Sequence, residues 1–572
     1  MQKNLQIATI ENELRLDSQQ PCGKLEWLEN SYRDNESFWR SLKGAADELL
    51  PVKLSSVLFT QYNFYYDFIV RNMNLSNPAL SWYEPASGFK SLSYRELGDR
   101  VSARAAIWKG AGLKPGETVC IIRPLGLDLV VELFAALKTG CKAVVLPQRG
   151  SGFIQRRLAA LDPPFIAADA RALPVLKAWR ERMIPEAIKG GYFSDDPRDS
   201  HVYKSGSPVL AVYDPANPEG LEPVEIISDT AYLGALRDGL LCLGLGPGQA
   251  YCAPGFDFME TCPSLIMAGM MPGATYIHLK PEDIEASPQL TLNNKVKAFG
   301  VSKKVRDILT ARPFDAAGAW QSWFRNPAEA TDMDAWHHFI KKLNLLNSYS
   351  FNMRWNPAAG GCTMMSARRK GAAHMNVLPA PGSSWQFSDA AGAPVLADFG
   401  NFAAAAPGIP GNEELKPGHD IIMRHSGELM FGGIDAVHRG GMVYPQNEVL
   451  EVLKDSLRGC YLSAAAVPQV DQAYPWLIVL LVFHGVQTVD KSKTAARIMA
   501  EIKDGLGEAC LPDKIEFLPL YPRYLPDMQI DHEWCRDQYL SGRLSLRMDN
   551  PAFKEITRIR VCLLDGKFRA AP

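Results

Sequence analysis

Apolar and polar positions follow a regular alternation of short runs and helical stripes from about residue 91 onward. Ser93, Tyr94, Arg95 and Glu96 read as a capping box. Leu97, Val101 and Trp108 then mark one face of a helix that Gly110 and Gly112 end. TVCII (118–122) is a buried strand. Leu129, Val130, Leu133, Phe134 and Leu137 have helical spacing, closed by Gly140, and AVVLP (143–147) is the next strand. Strand, helix and strand in so short a span predict a parallel βαβ unit. The grammar repeats with strands at 208–214, 273–279 and 296–301 and helices over Thr230–Gly244 and from Lys303 to Leu309. A large α/β body with several parallel units, reaching about residue 430, is expected.

Beyond that point the pattern changes. Asn447 to Lys454 and Lys491 to Lys503 are helical, whereas YLSAAAV, WLIVLLVF and KIEFLPL are strands, which predicts a small α+β domain. The glycine-rich stretch 427–441 reads as the hinge. The expected organisation is an N-terminal extension of short, aromatic-rich helices (1–80) packed on a large α/β domain (81–433), a hinge (434–436), and a small α+β domain with a tail (437–572).

The length of 572 residues fits two or three cores. Apolar residues at 47%, charged residues at 22% and a net charge of -2 give no basis for nucleic-acid or anionic-membrane binding. The eleven cysteines are scattered, with no C-x-x-C pair and no zinc spacing, so reduced, buried thiols and no metal are expected. The first residues carry acidic groups and no apolar core, unlike a signal peptide. The longest apolar run, Trp476 to Phe483, is far below the ~20 residues of a membrane span. A cytoplasmic location is the expectation.

Four segments carry a family resemblance. Residues 94–147, from YRELGDR to AVVLP, resemble the opening of an acyl-CoA synthetase or adenylation domain. Residues 244–279, GLGPGQAYCAPGFDFMETCPSLIMAGMMPGATYIHL, resemble the family's middle segment, whose helix lines the acyl pocket. GELMFGGIDAVHRGGMVYPQNEVLEVL (427–453) resembles the hinge and the loop of the thioester-forming conformation. KIEFLPLYPRYLPDMQID (514–531) resembles the C-terminal lysine motif without its lysine. The chain is thus similar to the adenylate-forming superfamily of acyl-CoA synthetases, peptide-synthetase adenylation domains and luciferases. The resemblance implies an α/β N-terminal domain of several sheets with a small α+β C-terminal domain. It also implies two half-reactions: acyl-AMP formation from ATP, then transfer of the acyl group to a thiol.

The ATP half has lost its chemistry. The family's phosphate loop, T-S-G-T-T-G-x-P-K-G, offers backbone N–H groups, hydroxyls and a lysine to a triphosphate. Asp214-Pro-Ala-Asn-Pro-Glu219-Gly-Leu-Glu222-Pro stands there instead, with three prolines and three carboxylates. At ~5 Å and an effective dielectric near 20, each carboxylate repels a phosphate charge by about 3 kcal/mol. Millimolar ATP binding offers only ~4 kcal/mol in total. The aromatic-Gly-x-Thr-Glu motif is replaced by SYSFNMRW (348–355), which has no carboxylate. Gln529 takes the place of the lysine that bridges carboxylate and phosphate. Gly432 and Gly433 stand where the hinge arginine belongs. The reading is therefore a degenerate member with no functional ATP or magnesium.

What matches lies on the thioester side. Asp420 falls at the ribose-binding aspartate and Asp435 at the hinge residue. Arg439, Gly440 and Gly441 match the loop that faces pantetheine. By the same resemblance the acyl pocket is expected near Phe256, Asp257, Phe258 and Met259, with Asp257 in a slot where many relatives carry histidine. His438 is a candidate base toward a thiol. Cys252, Cys262 and Cys362 are candidate nucleophiles or packing residues. The leading expectation is ATP-independent acyl transfer between CoA and the phosphopantetheine of an acyl carrier protein, as in polyketide or fatty-acid assembly. The alternatives are a non-catalytic relative that binds an acyl ligand or partner protein, and an ATP-dependent ligase with a rebuilt site.

Overall fold

The computed structural model describes residues 26–169, 174–186, 196, 198–292, 295–329, 332–389, 393–395, 399–404, 416–434, 436–454, 457, 461–469, 474–485 and 487–544. The chain starts with helices α1 (Glu26–Arg33) and α2 (Asn35–Leu49). Phe38, Trp39 and Leu42 of α2 are buried in the main core. A hairpin, β1 (Pro78–Glu84) and β2 (Gly88–Ser93), leads to α3 (Tyr94–Gly110). Ser93 and Glu96 form the capping box expected there.

The first large sheet is assembled from β3 (Thr118–Ile122), β4 (Lys142–Val145), β5 (Phe165–Ala168), β6 (Pro208–Val212) and β7 (Val224–Ile227) in the order β5-β3-β4-β6-β7. All neighbours are parallel except β6 and β7, which form an antiparallel hairpin. Helices α4 (Leu127–Thr139) and α5 (Ser151–Leu161) make the crossovers. Gly140 closes α4 at φ 84°, a left-handed position suited to a residue without a side chain.

After α6 (Ser228–Arg237) the chain builds a ten-stranded sheet. Its parallel centre holds β8 (Ala250–Cys252), β9 (Thr275–His278), β10 (Val296–Gly300), β11 (Trp320–Arg325) and β12 (Tyr349–Asn356), and β13 (Gly361–Met365) runs antiparallel beside β12. Between β8 and β9 lie the short helices α7 (Phe258–Thr261) and α8 (Ser264–Met270). A third, antiparallel sheet follows: β14 (Trp385–Ser388), β15 (Phe399–Ala404), β16 (Lys416–His425) and β17 (Glu428–Ile434).

The C-terminal body opens with a two-stranded hairpin, β18 (His438–Arg439) and β19 (Met442–Val443), and α9 (Gln446–Leu453). It continues as β20 (Tyr461–Gln469), β21 (Tyr474–Phe483), α10 (Lys491–Leu506), β22 (Lys514–Leu518) and α11 (His532–Leu540). β21 lies between β20 and β22, antiparallel to the first and parallel to the second. The apolar core of this body is continuous with that of the first sheet: Phe153, Ile154 and Leu158 of α5 share one cluster with Val449, Leu453, Ile502 and Leu506. Among the described residues no helix is long and apolar enough to cross a membrane.

Candidate functional site: an acidic loop beside a charged cluster

The segment 214–223 joins β6 to β7, a strand–loop–strand position that could present backbone N–H groups to a ligand. Three of them are used internally. Ala216 N donates to Asp214 Oδ1 at 2.8 Å, Asn217 N to the Asp214 carbonyl at 3.0 Å, and Gly220 N to the Asn217 carbonyl at 3.1 Å. Asn356 Nδ2 donates to Asp214 Oδ1 at 3.2 Å. The outer side of the loop docks on the C-terminal body. Pro215 O accepts from Val443 N at 2.9 Å. The Glu219 carboxylate accepts from Asn447 N at 2.6 Å and from Asn447 Nδ2 at 2.8 Å, placing a negative charge at the N-terminal turn of α9. Glu222 is exposed.

Arg354, on β12, gathers groups from three parts of the chain. Its Nε donates to Asp420 of β16 at 3.0 and 3.2 Å, and its Nη2 donates to the Gly441 carbonyl at 2.8 Å. Nη1 lies 3.6 Å from Glu260 Oε2. Glu260, on α7, accepts from Gly441 N at 2.7 Å and from Asn326 Nδ2 at 2.5 Å. The N–H and C=O of Gly441 are therefore both held by one buried acid–base pair. Burial works against the Arg354 charge, but Asp420 and Glu260 outweigh it and raise its pKa. Burial pushes Glu260 up to about 7 despite the opposing pull of Arg354, and Asp257 adds to the rise. A Cβ on Gly441 would sit 1.8 Å from Arg354 Nη1 and 2.6 Å from Glu260 Oε2. This glycine is required by a close approach of the protein's own side chains, whereas the sequence suggested access for a ligand arm.

No family model and no curated protein matches the sequence, but solved structures match the fold. The amide bond synthetase McbA from Marinactinospora thermotolerans superposes with a TM-score of 0.64 at 14% identity, covering 83% of this chain and 99% of that one. The acetoacetyl-CoA synthetase from Streptomyces lividans gives 0.58 at 14% identity, covering 94% and 95%. The anthranilate CoA ligase AuaEII, solved with anthranoyl-AMP, gives 0.56 at 16% identity, covering 86% and 100%. The chain has the adenylate-forming enzyme fold. The resemblance drawn from four sequence segments thus extends over most of the chain as tertiary structure.

Asp420, the ribose-binding position by resemblance, is already bonded to Arg354. The 214–223 loop bonds three of its backbone N–H groups to itself and presents the Pro215 carbonyl and the Glu219 carboxylate to α9 and its approach. Gln529 is exposed on a turn of the C-terminal body, where its carbonyl accepts from Leu525 N at 2.8 Å.

Other named residues have structural partners. Asp257 caps α7 by accepting from Met259 N at 2.8 Å and pairs with Arg149 at 3.1 Å. The Phe256 ring lies 5.4 Å from that of Phe324. Phe256 and Phe258 pack partly buried on the main core, and Met259 is buried in the cluster shared with the C-terminal body. Arg439 pairs with Asp513 at 2.8 Å. His438 is buried and its Nδ1 lies 2.8 Å from the Gly440 carbonyl, so that nitrogen carries the proton; burial lowers its pKa. Asp435 lies outside the described residues. A closed crevice beside α6 and α8, bordered by Leu210, Val212, Ala231, Pro263 and Met267, has about 10 Å³ of room, enough for at most one water.

Sequence reasoning missed Arg354 and Glu260. Each is a lone charge in an apolar stretch, FNMRW and FMETC, and a charge placed so calls for a buried partner. It also missed a buried cluster in which donor atoms of Asp238, Cys242 and Cys362 lie within 4.8 Å of one another. Asp238 is already satisfied there by Arg237 Nε at 2.7 Å and Cys362 N at 2.8 Å, an arrangement that accounts for it as a core ion pair.

Proposed function

We propose that this chain is a non-catalytic relative of the adenylate-forming enzymes, a pseudo-ligase that works by binding an acyl ligand or a partner protein and does not use ATP. The observation that carries the reading is the loop at 214–223, which places three prolines and the carboxylates of Asp214, Glu219 and Glu222 where the resemblance calls for hydroxyls and a lysine. The pairing of Asp420 with Arg354 supports it by neutralising a further carboxylate of the region.

ATP-free acyl transfer to a carrier protein needs a protein nucleophile or a tunnel in which the acyl thioester meets the free acceptor thiol. Cys252, Cys262 and Cys362 are buried, and burial raises all three thiols, which suppresses the thiolate. These features favour binding over transfer. The named activities of the similar structures make carboxylates, CoA and acyl-CoAs the first ligands to screen.

The test is isothermal calorimetry and thermal shift with ATP-Mg, AMP, CoA and an acyl-CoA panel, alongside a pyrophosphate-release assay and mass spectrometry of an acyl carrier protein incubated with acyl-CoA. No response to nucleotide, no pyrophosphate and no mass gain are expected. Pyrophosphate release with any carboxylate restores the ligase reading, and an acylated carrier formed without ATP restores transfer.

A further inference from the structure

We infer that the C-terminal body is locked on the N-terminal body in one orientation, by a clamp of polar contacts set around an apolar interface. Domains joined by a short hinge usually meet through a modest, polar interface and move relative to one another unless that interface is large and hydrophobic. Here it is hydrophobic and continuous with the core of the first sheet.

Four polar contacts fix its register. Arg354 and Glu260 hold both backbone groups of Gly441, the turn residue between β18 and β19. Glu219 neutralises the N-terminal turn of α9. Arg157, whose side chain is fully buried, lies 3.0 Å from Glu448 of α9, and Arg156 lies 3.2 Å from the same carboxylate. The N-terminus of α5 abuts the C-terminus of α10, with Ser151 Oγ donating to the Asp504 carbonyl at 3.0 Å, so opposite ends of two helix dipoles meet. Gly150 packs there so closely that a Cβ would lie 2.3 Å from the Gly505 carbonyl carbon. Rotation of the C-terminal body would break all four and expose Val449, Leu453, Ile502 and Leu506 to water.

This inference stands apart from the binding proposal, since orientation and ligand affinity are read by different measurements. Spin labels on unnatural residues at the exposed positions Lys114 and Lys491 report the distance between the bodies in the full chain by pulsed electron resonance. One narrow distance is expected, unchanged by ATP-Mg, CoA or acyl-CoA. Glu219→Ala combined with Gly441→Ala is expected to broaden it into a distribution. Two distances in the unsubstituted protein, or a shift on adding any of these ligands, would overturn the lock. A double variant that folds and keeps the single narrow distance would remove the clamp from these residues. If the double variant does not fold, Glu219→Ala alone, in an exposed loop, is held to the same standard.

Discussion

Arg354 Nε reaches both carboxylate oxygens of Asp420, at 3.0 and 3.2 Å, joining the ten-stranded sheet to the antiparallel sheet beside it. Arg354 is buried and Asp420 partly buried, with side-chain exposures of 6% and 14%, so each charge depends on the other. Truncating Arg354 leaves Asp420 and Glu260 without their cation. Arg354→Ala is expected to cost about 3–5 kcal/mol of stability, and Arg354→Lys less. Urea unfolding monitored by tryptophan fluorescence checks the order. Equal stability of Arg354→Ala and the parent would mean that the pair contributes nothing.

Gly441 and Gly440 separate two effects. A methyl group at 441 collides with Arg354 and Glu260, and about 1–3 kcal/mol of destabilisation is expected. At 440 the nearest atom to a Cβ is Glu260 Oε1, at 3.2 Å, and the strain comes chiefly from φ 60°, for which about 1 kcal/mol is expected. Thermal melts of Gly441→Ala and Gly440→Ala should therefore rank in that order.

Stability should fall as pH rises through neutrality. Glu260 is raised from 4.5 to about 7 in the fold, and the partly exposed Glu329 is raised as well, first by burial and then by the Glu260 charge. The native state then holds a proton that the unfolded chain releases. This contribution is fully present below pH ~4.5 and is lost as pH climbs through about 7. Unfolding free energies measured at half-unit steps from pH 5 to 8 should slope downward, and Glu260→Gln should flatten the slope. An unchanged slope in that variant would place the titration elsewhere.

Glu219→Ala should weaken the start of α9. Loss of a carboxylate that accepts three hydrogen bonds there, two from Asn447 and one from Glu448 N, is expected to cost about 0.5–2 kcal/mol. Hydrogen exchange should speed up at Asn447 and Glu448, while amides of β3 and β4 stay protected. Protection unchanged at 447 and 448 would show that the cap is not needed.

The eight cysteines in the described residues are all buried, and burial raises the thiols of Cys120, Cys252 and Cys262. Ellman's reagent should leave them unmodified in the native protein and label them once denaturant is added. Rapid native labelling of Cys252 or Cys262, located by peptide mapping, would reopen the nucleophile reading.

The sequence by itself determined the parallel units, the change to a small α+β body, and the family likeness. Each rests on local periodicity and turn residues: the capping box at Ser93–Glu96, the left-handed Gly140, the valine- and isoleucine-rich strands at 118–122 and 142–145. The resemblance set the expectation of a missing lysine and missing hydroxyls. Only the tertiary structure decided which charges meet. Arg354 and Asp420 are separated by 66 residues, Glu260 and Gly441 by 181, and Glu219 and Asn447 by 228. Periodicity reports which face of an element is buried and says nothing about which charge on a distant element it meets. That pairing is set by the stacking of the sheets and by the docking of α9 and α10 against α5, where desolvation makes an unpaired charge too costly to keep.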